Sequence, residues 1–255
     1  MFSGKQLFSF MLLLAAAGAV FAATLIPDSS ILPARLEMTL SSKNSKPGEV
    51  ITTRIMQNVP LPGTFKLPAG SKLTGQVISV QPATADTGGS ITFRLDTLHL
   101  PHEVAHLTLR LRAAASYLEV RQAELPRNGD QSGPGTATTT VQIGGDMVYR
   151  GGGPVRNRSG VTGKPVDGGV LVRLDANPAR GCRNDGTGER AQAMWLFSSD
   201  ACGTYGLRDV TIVQPVKNST AFANGEITLQ SVKGDVTLHN GSGLLLRVDN
   251  PSVPD

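Results

Sequence analysis

The chain has 255 residues, with 29 Gly, 16 Pro, 17% charged residues and only 5% aromatic ones. Glycine and proline both penalise helix interiors, so this make-up excludes a mainly helical protein and suits many short strands joined by turns. The formal net charge is +4 with both signs interspersed, and no Lys/Arg run is dense enough to act as a nucleic-acid footprint, which excludes that class of partner.

In chain order the first expected element is a targeting segment. Lys5 precedes an almost wholly apolar run from Leu7 to Phe21, and Val20-Phe21-Ala22 places small residues ahead of Ala23. A basic start, an apolar middle and an A-x-A-like end make the pattern of a secretory signal peptide. The apolar run is about 15 residues, shorter than the roughly 20 that span a bilayer core. Residues 1–22 are therefore expected to be a cleaved signal, with an uncleaved anchor as the alternative. The mature chain then begins near Ala23 and works in the periplasm or outer envelope. Contact with a membrane surface stays open, but no transmembrane helix is expected after cleavage.

Period-2 alternation, the mark of a sheet with one buried face, then recurs. Ile31–Leu40 is expected as a strand with Leu36, Met38 and Leu40 inward, and Ser41–Gly48 as a turn. Glu49–Met56 and Lys72–Val80 follow as strands, the second entered through Leu67-Pro68-Ala69-Gly70, with Leu73, Val77 and Ile78 as its inward residues. Gly75 inside that strand predicts a bend or a close backbone approach. In Ser90–Asp96, Ile91, Phe93 and Leu95 share a face. The cleanest alternation is Ala105–Ala113, apolar at every odd position. From Ala114 to Glu124 the pattern loosens, and a short helix or an irregular extended segment are both open.

Residues 126–169 are rich in Gly, Pro, Ser and Thr. Few large apolar side chains offset their ordering entropy, so they are expected as a flexible surface insertion with one short extended piece, Thr138–Tyr149. Further strands are expected at Val170–Leu174, Gly206–Val213 and Ala221–Leu229, with Met194-Trp195-Leu196-Phe197 as an aromatic core cluster. Val236–His239, the Asn240-Gly241 turn and Leu244–Val248 are expected as a closing hairpin. Cys182 and Cys202 are the two cysteines. In an oxidising compartment a disulfide is the default for such a pair, and closing a loop of about 20 residues removes chain entropy worth roughly 3 kcal/mol. No His or further Cys lies at metal-ligand spacing nearby.

One motif carries chemistry. His102-Glu103-Val104-Ala105-His106 matches H-E-x-x-H, in which a helix sets His102 and His106 on one face to hold Zn²⁺ with Glu103 as general base. Three features oppose it. Pro101 stands directly before the motif and breaks a helix there. His106 opens the strand-like alternation, and on a strand residues four apart are separated by about 13 Å, too far to share Zn–N bonds of about 2 Å. No third ligand follows at the spacing of the extended motif. The competing reading is a polar turn entering a strand, with both imidazoles solvated and no cofactor.

Two stretches carry a resemblance. Leu32–Val80 holds a strand, a Ser-Ser-Lys turn ending in Pro-Gly, another strand and Leu67-Pro68-Ala69-Gly70-Ser71-Lys72-Leu73-Thr74-Gly75, followed by Ile91-Thr92-Phe93-Arg94-Leu95-Asp96. Gly206-Leu207 and Asn240-Gly241-Ser242-Gly243-Leu244-Leu245-Leu246-Arg247-Val248 come near the end. This order resembles the C-terminal β-barrel domain of the periplasmic channel subunit of type IV secretion systems, and exported proteins of unknown function that share the segment. The chain departs from that pattern in its Gly-rich insertion, its cysteine pair and the lack of a long proline-rich stretch. The resemblance implies a barrel-like fold in the cell envelope.

The expected protein is thus all-β, a mainly antiparallel barrel or sandwich with a Gly-rich insertion. Residues 23–125 and 170–249 form the two parts of one β domain, 126–169 the insertion and 250–255 a tail. Its expected function is that of an exported, non-catalytic structural or protein-interaction module, associated with a secretion channel in the narrower version, with another envelope protein as partner. The alternatives are a zinc-dependent peptidase built on His102, Glu103 and His106, and binding of envelope polysaccharide.

Overall fold

Brief apolar alternations, interrupted by Gly, Pro and Asn at turn positions, cut the chain into many short strands. The computed structural model describes residues 26–61, 65–125, 138–145, 147–150, 155–157, 160–166, 169–173, 191–193, 196–198 and 201–249. The expected signal segment 1–22, Met194, Trp195 and the tail lie outside these residues. The first nine strands are β1 (Ile31–Leu36), β2 (Leu40–Ser41), β3 (Val50–Ile55), β4 (Val59–Pro60), β5 (Lys66–Leu67), β6 (Lys72–Gln81), β7 (Ser90–His99), β8 (Val104–His106) and β9 (Leu109–Ala115). Helix α1 (Tyr117–Glu124) follows, N-capped by Ser116, whose hydroxyl accepts the Glu119 N–H. Six strands come next: β10 (Thr138–Val141), β11 (Met147–Arg150), β12 (Val155–Asn157), β13 (Gly160–Val166), β14 (Gly169–Arg173) and β15 (Ala191–Ala193). The chain ends with β16 (Gly203–Tyr205), β17 (Val210–Val213), α2 (Thr220–Ala223), β18 (Ile227–Ser231), β19 (Thr237–Leu238) and β20 (Gly243–Val248).

The protein is all-β and mainly antiparallel. Its main sheet has the order β16-β9-β20-β1-β3-β6-β7-β18-β17, with β8 paired to β7 beside this path, and β16–β9 is its one parallel ladder among the described residues. The two ends of this path, β16 and β17, follow one another through residues 206–209, and no ladder joins them among the described residues. Side chains span the gap instead: the Thr204 hydroxyl donates to the Val210 carbonyl at 2.7 Å, and the Gln214 amide donates to the Leu111 carbonyl at 3.2 Å. Of the two expected architectures the sandwich-like one is formed, and no closed barrel.

Two apolar clusters lie on opposite faces of β1, β20 and β9. Leu32, Ala34, Leu36, Leu244, Leu246, Val248, Leu109 and Leu111 point into the larger core, with Ile51, Leu73, Phe93 and Leu229 from the rest of the sheet. Ile31, Leu245, Ala113 and Ala115 point the other way, beneath Val120 and Ala123 of α1 and beside Ile143, Leu196 and Phe197. A bulge explains the change of phase along β9. The register passes from Leu246↔Leu111 to Leu245↔Ala113, leaving Arg112 as the extra residue and turning the side chains after it to the opposite face.

Several sequence expectations are corrected by this arrangement. The Ala105–Ala113 alternation is not one half-wet strand but two strands, β8 and β9, broken at Leu107 and Thr108, and every residue of β9 is buried. Its arginines look solvent-facing in the sequence because the second covering layer is distant in the chain. The Val236–Val248 hairpin is not formed: β19 pairs with β2, whereas β20 inserts between β1 and β9. Gly241, at φ +89°, turns the chain between them, and its N–H donates to the Leu36 carbonyl. The Ala221–Leu229 stretch divides into α2 and β18 because Ser219 caps a helical turn. Ile78 is only half-buried, since the register jumps between Val77 and Ser79.

The segment expected as an insertion holds more backbone order than its composition suggests. Strands β10 to β15 form a six-stranded meander of antiparallel neighbours, and β13 pairs with β14 across the expected 169/170 boundary. From β10 to β14 each pairing closes only a short loop, so its entropic cost is low and large side chains are not needed to start it.

Three loops are tied around Asp235. Its carboxylate accepts the Ser42 hydroxyl and the Ala83 N–H, both at 2.8 Å, and Ser42 in turn accepts the Val236 N–H at 3.1 Å. The Ala83 N–H is the main cause that holds the carboxyl below its usual range, followed by the Ser42 hydroxyl; partial desolvation opposes them and Lys43 assists. The folded chain therefore binds this proton less tightly than the unfolded chain. The associated stability is present above about pH 4 and is lost as pH falls through the lowered value. Asp235→Asn is expected to lower Tm slightly at neutral pH and to flatten the acid limb. Between about pH 5 and pH 3 the wild-type Tm should fall further than the variant's, and parallel limbs would refute the assignment. Gly75 supplies a second check, because a Cβ there would lie 1.9 Å from the Arg94 carbonyl oxygen, beside a register shift in the β6–β7 ladder. Gly75→Ala should cost about 2 kcal/mol or more in denaturant unfolding, whereas Gly234→Ala, with open space around its Cβ, should suffer only backbone strain.

Candidate functional site

The H-E-x-x-H stretch forms the end of a hairpin between β7 and β8. The Leu100 N–H donates to the Glu103 carbonyl at 2.9 Å, closing a four-residue turn, and Pro101 takes the second position, where its fixed φ suits a turn. Beyond the turn the rungs are His99↔Val104, Leu98↔Ala105 and Thr97↔His106. Ala105 and Leu98 face the core, while His99, Val104 and His106 are exposed. His102 is exposed in the turn and Glu103 is half-buried. Thus the helix that a zinc-peptidase motif needs is replaced by a turn and a strand, and the structure does not bring His102 and His106 onto one helical face. Among the described residues, no group of three or more His, Cys, Asp or Glu comes together to hold a metal ion.

Hydrogen-bond parity fixes what this hairpin shows to its surroundings. The Leu100–Glu103 bond on one side and the Leu107 N–H to Asp96 carbonyl bond (2.9 Å) on the other make 99:104 and 97:106 the non-hydrogen-bonded rungs. In such rungs the peptide groups point away from the partner strand. Val104 and His106 therefore direct their N–H and C=O groups outward, and these groups meet no backbone partner among the described residues. Strand β8 is an edge, and Val104 on it is 46% exposed.

The outer face of the same hairpin carries a residue that the motif leaves out. His99 Nε2 lies 3.0 Å from the Thr74 hydroxyl on the neighbouring strand β6, and that hydroxyl donates to the Thr97 carbonyl at 3.4 Å. His99 and His106 thus share one sheet face. The signal for this was present in the sequence, since a turn centred on Pro101 and His102 pairs position 99 with 104, but it emerges only once the helical spacing is set aside.

Other polar groups serve the fold. Arg110 and Arg247 are register partners on β9 and β20, and both reach Asp249, with the Arg110 guanidinium 3.1 Å from the Phe222 ring centre. The crevice beside them, between Leu111, Ile212, Val213 and Glu226, is too tight to receive a ligand. Cys202 is half-buried and its N–H donates to the Tyr205 hydroxyl at 3.1 Å, while its expected partner Cys182 lies outside the described residues. No helix among the described residues is long and apolar enough to cross a membrane, which leaves open a crossing made by strands. Comparison with known proteins finds no matching family model, no matching curated protein and no matching solved structure.

Proposed function

We propose that the protein is an exported, non-catalytic interaction module of the cell envelope that binds another envelope protein by adding a strand to β8. The observation that supports this is the row of outward peptide groups of Val104 and His106, flanked by the exposed Val104 side chain. Unpaired edges of this kind are templates for strand addition, with backbone bonds giving affinity and alternate side chains giving specificity. Export rests on the charge and hydropathy of residues 1–22, and a secretion-channel association rests on the resemblance of the Leu32–Val80 and Asn240–Val248 stretches. The Cys182–Cys202 disulfide belongs to the same reading and is supported by these being the two cysteines of a chain read as exported to an oxidising compartment.

Two experiments bear on this reading. A photoreactive amino acid placed at position 106 should give a discrete protein adduct in the envelope fraction, and one at Val232, exposed by 76% in a distant loop, should not. Val104→Pro removes an outward N–H without breaking a β7–β8 rung, so it should abolish the adduct while leaving the circular dichroism unchanged. Adducts that are equal at both positions, or indifferent to Val104→Pro, would sink the edge-pairing reading. Separately, the intact mass of exported protein should match a chain starting near Ala23 and lacking two protons for the disulfide. A full-length, fully reduced mass would remove both the export and the staple.

A further inference from the structure

We propose that the chain's own C-terminal segment, residues 250–255, is the resident occupant of the β8 edge and must be displaced before another strand can pair there. Strand β20 aims it at that edge. β20 runs antiparallel to β9 with Val248 opposite Leu109, and one step on the Asp249 N–H donates to the Thr108 carbonyl at 2.8 Å. The same register, carried on, sets position 251 opposite His106 and position 253 opposite Val104. Side and parity agree with this. The Leu107 N–H bonds Asp96 of β7 while the Thr108 carbonyl bonds Asp249, so residues 104–108 keep β7 on one side and the line of β20 on the other. Val104, His106 and Thr108 share one parity, and the outward groups of the first two continue the row in which Thr108 is already paired.

The composition of the segment suits an edge. It reads Asn-Pro-Ser-Val-Pro-Asp. A residue before proline is held out of the helical region, so positions 250 and 253 are biased to extended backbone before any contact forms. The register puts Val253 opposite Val104, an apolar cross-strand pair for a valine that is otherwise 46% exposed. Pro254 falls where its nitrogen faces away from β8 and an N–H is not needed, and Asp255 reaches the level of His102. Pro251 lacks the N–H that the His106 carbonyl would accept, so that carbonyl stays hydrated while the remaining outward groups gain partners. Because the segment is tethered at Asp249, it pairs without the translational and rotational loss that a separate strand incurs. The gap in the ladder at Pro251 keeps it displaceable. The contact is independent of the strand-addition reading, and its role as a guard of the site rests on that reading.

Amide hydrogen exchange on the purified exported protein tests the contact. The amides of Val104 and His106 should exchange at least about 10-fold more slowly than in a chain ending at Asp249. The Leu107 amide, bonded to Asp96, should exchange alike in both. Val253→Pro, which sets a second ring where the ladder needs a donor, should release Val104 and His106 in a chain of full length. Circular dichroism should be the same for all three proteins, since β20 ends before the segment. In the envelope fraction, the adduct from position 106 should rise several-fold when the segment is deleted. Equal exchange of Val104 and His106 with and without the segment overturns the contact. Protection lost on deletion but an unchanged adduct overturns the guarding role. Protection as expected with no adduct from either chain sinks the strand-addition reading and leaves the contact standing.

Discussion

The fold depends on the last strand lying between the first and the ninth. β20 pairs with β1 on one side and β9 on the other, and all six of its residues are buried. Three strands distant in sequence must therefore meet before either apolar cluster can be completed, because the larger core lines one side of them and α1 covers the other. Full burial of Leu244, Leu245, Leu246 and Val248 gives each side chain roughly 2 kcal/mol of transfer free energy. Much of that gain is won only when the chain is almost complete. Loop-closure entropy is spent before these distant contacts form, which makes the β1–β20–β9 layer the late and cooperative step of folding.

Covering both faces of this layer creates an electrostatic problem that Asp249 solves. Like charges directly opposite one another on neighbouring strands are destabilising, and Arg110 faces Arg247 across the β9–β20 ladder with little solvent to screen either. The carboxylate of Asp249 reaches both guanidinium groups, while Phe222 gives the Arg110 cation a ring face. Asp249 is itself held by its N–H, which donates to the Thr108 carbonyl at 2.8 Å, at the break between β8 and β9. The kink that ends the exposed hairpin and the charge balance of the buried layer are thus parts of one arrangement.

The sequence made some of this legible and hid the rest for physical reasons. Ile91, Phe93 and Leu95 alternate toward a single core, and all three are buried, as period-2 patterning predicts. Gly75 marked a close approach that its missing Cβ makes feasible. Long-range pairing was not visible. Asn240-Gly241 is a hairpin signal, but the strands it joins find partners elsewhere because β1 and β9 offer β20 two buried ladders rather than one. The arginines of β9 looked wet because local alternation carries no information about a second layer. At the candidate site, the turn around Pro101 was legible, and so was the extended chain after it. The pairing of position 99 with 104 needed the hairpin register, which a helical motif spacing draws attention away from.

The same hairpin geometry separates the edge of β8 from its outer face. Peptide groups of Val104 and His106 leave β8 in the plane of the sheet, whereas the side chains of His99, Val104 and His106 stand perpendicular to it. An added strand would therefore extend the ladder sideways and leave the contact of His99 with Thr74 on the outer face as it is.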